Sequence, residues 1–386
     1  MLAATLAATL GAADWPQFRG PTGQGLSAET GLALTWSEKQ NVRWKTRIHG
    51  RGWSSPSILA GRIWLTTATD SGRSLRAIAV DAESGKITRD IEAFRLPDPV
   101  SIHEKNSHAS PTAVLEDDRV YVHYGSQGTA CLTASGEPVW KTRLDYAQGH
   151  GSGGSPVLYR DLLLLACDGT DVQYVVGLEK TTGKVRWRRD RAGLMAFSTP
   201  LVVETGDGHQ LISTGGRRTI SYEPGAGREL WSVSYGDGFS NVPRPVFAHN
   251  LVYLCTGFYQ PELLAVRLGG SVAWRNGRSV PLTSSPIVVG NEIYMVSDNG
   301  IASCLDARSG REHWRQRLGG SFSASPVYAG GRLYFTSEDG ETTVLEPGPL
   351  FRRLAVNSLD GRFLASPAVS GGALYLRSDQ HLYRIE

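Results

Sequence analysis

No two of the four cysteines are neighbours. Cys131, Cys167, Cys255 and Cys304 stand far apart in the 386-residue chain, none of them in a Cys-x-x-Cys pair. That excludes zinc-ribbon and thioredoxin-like chemistry, and each lies in or beside an apolar stretch, as a buried inert thiol would. An excess of one charge is missing too, with 40 Lys and Arg against 37 Asp and Glu. Nothing therefore draws the chain electrostatically to nucleic acid or to a membrane surface. No charge run, Pro-rich linker or low-complexity tract divides it. No apolar run is long enough to span a bilayer. Leu2 to Leu10 is only Leu, Ala and Thr, followed by Gly11-Ala12-Ala13. This has the form of the apolar core and small-residue cleavage site of an export signal, cut after Ala13, although no Lys or Arg precedes it. Residues 1–13 are read as the remnant of such a signal, and the mature protein is expected to be periplasmic or secreted.

What is abundant is glycine, 45 residues, and a repeat. Pro56, Pro111, Pro156, Pro200, Pro245, Pro286, Pro326 and Pro367 recur, mostly after Ser, Thr or Ala. Their spacing of about 40–45 residues, with one longer step, is a propeller period. Trp140, Trp187, Trp231, Trp274 and Trp314 follow five of them at similar offsets. Asp306-Ala-Arg-Ser-Gly310 before Trp314 shows the unit well. The Asp accepts backbone N–H bonds and the Gly supplies a positive φ. A flat indole on an outer strand then fills the space between neighbouring blades.

These features predict an all-β chain, a single eight-bladed β-propeller over 14–386. Asn41-Val-Arg-Trp44-Lys-Thr46 matches an outer strand with no strands before it, and the repeat opening at Pro367 stops one strand short. The N-terminal strand near 41–47 is therefore expected to complete the last blade and close the ring. The leader Asp14 to Asn41 is expected to lie across the propeller's surface.

The turns at Asp81-Ala-Glu-Ser-Gly-Lys and Asp306-Ala-Arg-Ser-Gly-Arg, with Lys180-Thr-Thr-Gly-Lys-Val-Arg-Trp187, resemble the repeat of PQQ-like, quinoprotein-type β-propellers. That superfamily includes quinoprotein alcohol dehydrogenases and the propeller lipoprotein of outer-membrane protein assembly. The leader Asp14-Trp-Pro-Gln-Phe-Arg-Gly-Pro resembles a branch common in planctomycetes. The resemblance implies the fold rather than an activity. For a PQQ dehydrogenase it implies a vicinal disulfide under the cofactor and calcium ligands, and this chain has no Cys-Cys pair. The expectation is no cofactor and no metal.

In a propeller the interblade loops share one face near the axis. At repeat positions that elsewhere hold Ser, Thr, Ala or Phe, this chain carries Arg51, Trp53, His103, Asn106, His108, His150, Asp168 and Arg244. One structural role per repeat position makes such departures informative. They are expected to line one off-centre pocket. In it Arg244 would hold an anionic group, Trp53 would stack on a ring, and His103, His108 or His150 could act as a base. The expected function is a monomeric ligand-binding or protein-interaction scaffold for a small molecule, glycan or protein. The alternatives are a carbohydrate-active enzyme, such as a uronate-directed lyase, and a PQQ oxidoreductase.

Overall fold

The computed structural model describes residues 14–386, so the expected export signal lies outside the described residues. Eight four-stranded antiparallel sheets surround an axis. The single helical element among the described residues is a 3-10 turn at Asp70–Gly72. Blades 1 to 7 run in chain order over residues 57–95, 114–142, 157–190, 201–234, 246–276, 287–317 and 327–358. Blade 8 takes three strands from the C-terminus, and its outer strand is Val42–Arg47, paired antiparallel with His381–Ile385. The N-terminal strand thus closes the ring.

Packing explains the repeat. The indole N–H of Trp140 donates to Lys180 O at 2.7 Å, and that of Trp187 to Pro224 O at 3.1 Å. Trp274 and Trp314 donate to Ala307 O and Gly348 O in the same way. Each indole lies against the turn of the next blade. A Cβ on Gly183 would come within 2.5 Å of the Trp140 ring, and one on Gly310 within 2.7 Å of Trp274. Both glycines also have positive φ, so the turn needs glycine for its backbone and for the indole's space. The ring closure uses the same latch: Trp44 donates to Ala82 O at 3.1 Å and its ring covers Gly85. In the turns, Asp81 and Asp306 each accept the N–H of the residue three on at 2.8 Å. The hydrogen bonds from Ser84 and Ser309 hold both carboxyls below their ordinary range.

One repeat position shifts. Residue 113, not 111, precedes the first strand of blade 2, Val114–Glu116. Ala113 therefore occupies the place held by Pro56, Pro156 and Pro200 elsewhere, and Pro111 lies two residues earlier.

The first part of the leader corrects a further expectation, because Trp15 to Gly20 packs against the inner strands instead of lying on the surface, while Gly31 and Thr35 farther on are exposed. Trp15 and Arg19 are each only 1% exposed. Trp15 exchanges backbone bonds with Ile58 in blade 1, and Leu115 N of blade 2 donates to Pro16 O. Farther on, Phe247 N of blade 5 donates to the Gln24 side chain, and Ser27 and Gly25 pair with Tyr328 of blade 7. The segment thus bonds to the inner strands from opposite sides of the axis.

Candidate functional site

The residue just before each inner strand's Pro position forms a ring at the axis. In seven blades that residue is Ser or Thr, and its hydroxyl accepts the backbone N–H of the equivalent residue in the preceding blade. Ser55 N donates to Thr112 Oγ1, Thr112 N to Ser155 Oγ and Ser155 N to Thr199 Oγ1, each at 2.9 Å. Around the other half, Arg244 N donates to Ser285, Ser285 N to Ser325, Ser325 N to Ser366 and Ser366 N back to Ser55, at 2.9 to 3.0 Å. The one missing link is at blade 5, where Arg244 replaces the hydroxyl.

Above this ring lies a cavity of about 450 Å³, within the range of small-molecule clefts. The seven hydroxyl residues line it, and Phe18 of the leader lines it as well. Phe18 comes from the segment that packs against the inner strands, so the cavity is a cup with the leader as its base. Aromatic rings form much of the wall: Trp53, His103, His150, Phe197, Phe239 and Phe258. The His103 and His150 rings are 5.4 Å apart, and His150 stacks on Phe197 at 6.1 Å. Neither histidine has a carboxylate partner among the described contacts. His103 Nδ1 accepts from Lys105 N at 3.2 Å. Asn106 holds the wall, donating to His150 O at 2.8 Å and to Ser152 O at 3.1 Å.

The link between blades 1 and 2, residues 96–113, crosses the mouth. Its Lys105 reaches blade 7, where Nζ lies 2.7 Å from Glu338 Oε1, while Arg362 holds the other oxygen at 3.1 Å. Burial opposes the Glu338 charge, but hydrogen bonds from Lys105, Ser323 and Arg362 outweigh it and hold the carboxyl below its ordinary value. The lining carboxylate Asp298 is bonded to Leu282 N, Thr283 N and the Thr283 hydroxyl.

Of the eight residues singled out from sequence, Trp53, His103, Asn106 and His150 line the cup. The other four do not. Arg51 lies over the Trp53 ring at 5.7 Å and bonds Glu104 O, bracing the link from outside the lining. His108 covers Gly72 and bonds Val100 O at 2.9 Å. Asp168 is buried in a two-pronged pair with Arg191, whose Nε is 2.8 Å from Oδ1. Burial raises the pKa of its carboxyl, and the charge and hydrogen bonds of Arg191 oppose that rise. Arg244 is the main correction. It is 1% exposed and turns beneath the floor, donating to Pro200 O at 2.9 and 3.1 Å and to Phe18 O at 2.6 Å. Without a hydroxyl at this position, the guanidinium ties blade 4 to the leader.

Arg19 lies beside it, donating to Pro286 O at 2.8 Å and to Gln24 O at 3.0 Å. Burial lowers the pKa of Arg244 and Arg19 to about 9, helped for Arg19 by repulsion from Arg244. Arg377 is buried likewise on Ser54 and Thr66 O and falls to about 9 for the same reason. None of the three has a carboxylate partner among the described residues.

Sequence reasoning missed Phe18, Phe197, Phe239, Phe258 and the hydroxyl ring. Phe197 and the small residues are ordinary content of the repeat, and Phe18 lies in the leader, outside it. Ser or Thr at one place in seven repeats was the available signal.

A family model described as outer membrane protein assembly factor BamB matches residues 99–269 and 262–348. The chain belongs to this family of PQQ-type repeat propellers. Among curated relatives, the outer membrane protein assembly factor BamB of Burkholderia pseudomallei (strain K96243) is 28% identical over 289 residues, covering 68% of this chain and 69% of that protein. The protein of the same name from Legionella pneumophila (strain Paris) is 29% identical over 133 residues, which is 32% of this chain and 33% of its own length. The fold is shared with BamB from Moraxella catarrhalis, at TM-score 0.64 and 14% identity over 89% of this chain and 99% of that one. It is shared equally with a europium-containing methanol dehydrogenase, at TM-score 0.72 and 11% identity over 96% and 91%.

The likeness to a dehydrogenase is one of fold. The four cysteines are buried in four different blades, and burial pushes the Cys131 thiol up to about 11 and the Cys304 thiol to about 12. No group of three His, Cys, Asp or Glu is placed to hold a metal among the described residues. The lining therefore does not fit the vicinal disulfide and calcium ligands that a PQQ dehydrogenase implies. No described helix is long and apolar enough to cross a membrane.

Proposed function

We propose that this protein is an exported interaction scaffold that binds its ligand in the axial cup, without breaking bonds in it. Membership of the BamB family supports an interaction role. The observation that carries the reading is the cup itself, based on Phe18 and open on the interblade-loop face. Its charged and amide side chains are occupied in holding the wall: Asn106 on two carbonyls, Lys105 on Glu338 and Asp298 on the link before blade 6. His103 and His150 lack the orienting carboxylate that would make either an effective general base. Concave pockets with apolar and aromatic walls and a set of placed polar groups are binding sites.

The test is a thermal-shift panel of small anions, saccharides and peptides against the wild type and Thr199→Trp, which fills the cup from its floor. Ligands that stabilise the wild type are expected to lose their effect in the filled variant. Shifts that survive in Thr199→Trp would place the site elsewhere. Unsaturated-uronate absorbance appearing with polyuronides would replace the scaffold reading with a lyase.

A further inference from the structure

The floor of the cup has a definite chemistry. It includes an apolar ring, Phe18. With it stand the seven hydroxyls, each already accepting one backbone N–H. Ser325 donates its own hydrogen to Ser285 Oγ at 3.0 Å. The hydroxyl hydrogens of the other six, Thr112, Ser155 and Thr199 among them, have no acceptor among the described residues. The floor thus combines an apolar ring with O–H donors that lack acceptors.

The charge beneath it is positive. Arg19 and Arg244 bond to backbone carbonyls one residue further along the inner strands than the ring. Both are buried without a carboxylate, so their charge is not neutralised locally. Of the lining residues, Asp298 alone carries a carboxylate, and three donors from the link before blade 6 hold it. Interactions are stronger in such a water-poor setting than at a surface.

We propose that the cup takes one acidic sugar residue, a uronate-type ring, of a saccharide. This rests on the reading of the cup as a binding site. A saccharide ring puts its C–H face on an aromatic plane and its oxygens outward all round, matching an aromatic ring flanked by free O–H donors. Its carboxylate answers the unneutralised arginines below. The aromatic wall above, Trp53 and Phe197 in particular, offers further faces to the neighbouring sugar.

The experiment is calorimetric titration of the full chain with trigalacturonate and with its methyl ester, which keeps the shape and removes the charge. Trigalacturonate is expected to bind, the ester at least about 10-fold more weakly, and added salt is expected to weaken only the acid. Phe18→Leu, which removes the ring face and keeps the apolar base, is expected to weaken both at least about 5-fold with an unchanged circular dichroism spectrum. Thr199→Val, which removes one donor together with the acceptor of Ser155 N–H, serves as a second variant with the same expectation, read only where its melting temperature stays near the wild type's. Equal binding of acid and ester would overturn the proposal, as would binding indifferent to both variants. If neither saccharide binds, the acidic-sugar proposal fails. The cup as a binding site would still stand if other panel ligands were lost in Thr199→Trp, so the two failures are distinguishable.

Discussion

The residues that decide this fold are a tryptophan and a glycine of the next blade's turn, such as Trp140 and Gly183. Gly183 has φ +71° and no room for a Cβ beside Trp140. Gly183→Ala therefore adds a left-handed backbone penalty to a clash with a packed ring, and is expected to cost about 2–3 kcal/mol in denaturant unfolding. A change below about 0.5 kcal/mol would mean that the indole does not need the turn. The Trp spacing was legible in the sequence because it recurs. What it packs against was not, since the partner belongs to the next repeat. Asp168 shows the opposite case. In sequence it stood out as a polar departure and was assigned to a pocket, but its partner, Arg191, lies 23 positions on and takes both oxygens. Asp168→Ala is expected to destabilise by about 3–5 kcal/mol, because it leaves a buried cation unpaired, and Asp168→Ala with Arg191→Met by clearly less. Equal losses in the single and double variants would show that the pair does not interact as described.

At the scale of the element, two segments with little regular structure shape the site. The leader 14–41 brings Phe18 to the axis, and the link 96–113 brings His103, Lys105 and Asn106 over the mouth. Neither follows the repeat, so the repeat gave no register for them. The link's length and its histidines were visible in the sequence, but not Lys105's reach to blade 7. The Glu338 carboxyl is held below its ordinary value in the folded state. The contact's contribution is therefore fully present above the unfolded-state pKa of about 4.3 and is lost as pH falls through the lower folded value. Hydrogen exchange of residues 100–106 is expected to be slow at pH 6 and faster, relative to intrinsic rates, below about pH 4. Glu338→Gln is expected to exchange quickly at both. Identical protection in the variant at pH 6 would show that the ion pair does not hold the link.

At the scale of the whole molecule, the ring is closed twice. Val42–Arg47 completes blade 8, and the leader ties the inner strands across the axis. The first closure was legible from counting strands at the two ends of the chain. The second was not, because Trp15-Pro-Gln-Phe-Arg carries no repeat signal and its partners are backbone atoms of distant blades. Deleting residues 14–47 removes both and leaves an open edge on the last blade. The truncated chain is expected to lose its single cooperative thermal transition, and a normal melt would contradict the double closure.

The leader also makes the cup, and that the cup is where this propeller binds is tested most directly by a crystallographic fragment screen. Fragments are expected to gather in the cup, with rings on Phe18 and Trp53 and oxygens on the Ser155 and Thr199 hydroxyls. Fragments gathering on the outer strands or the opposite face, with the cup left to water, would contradict it.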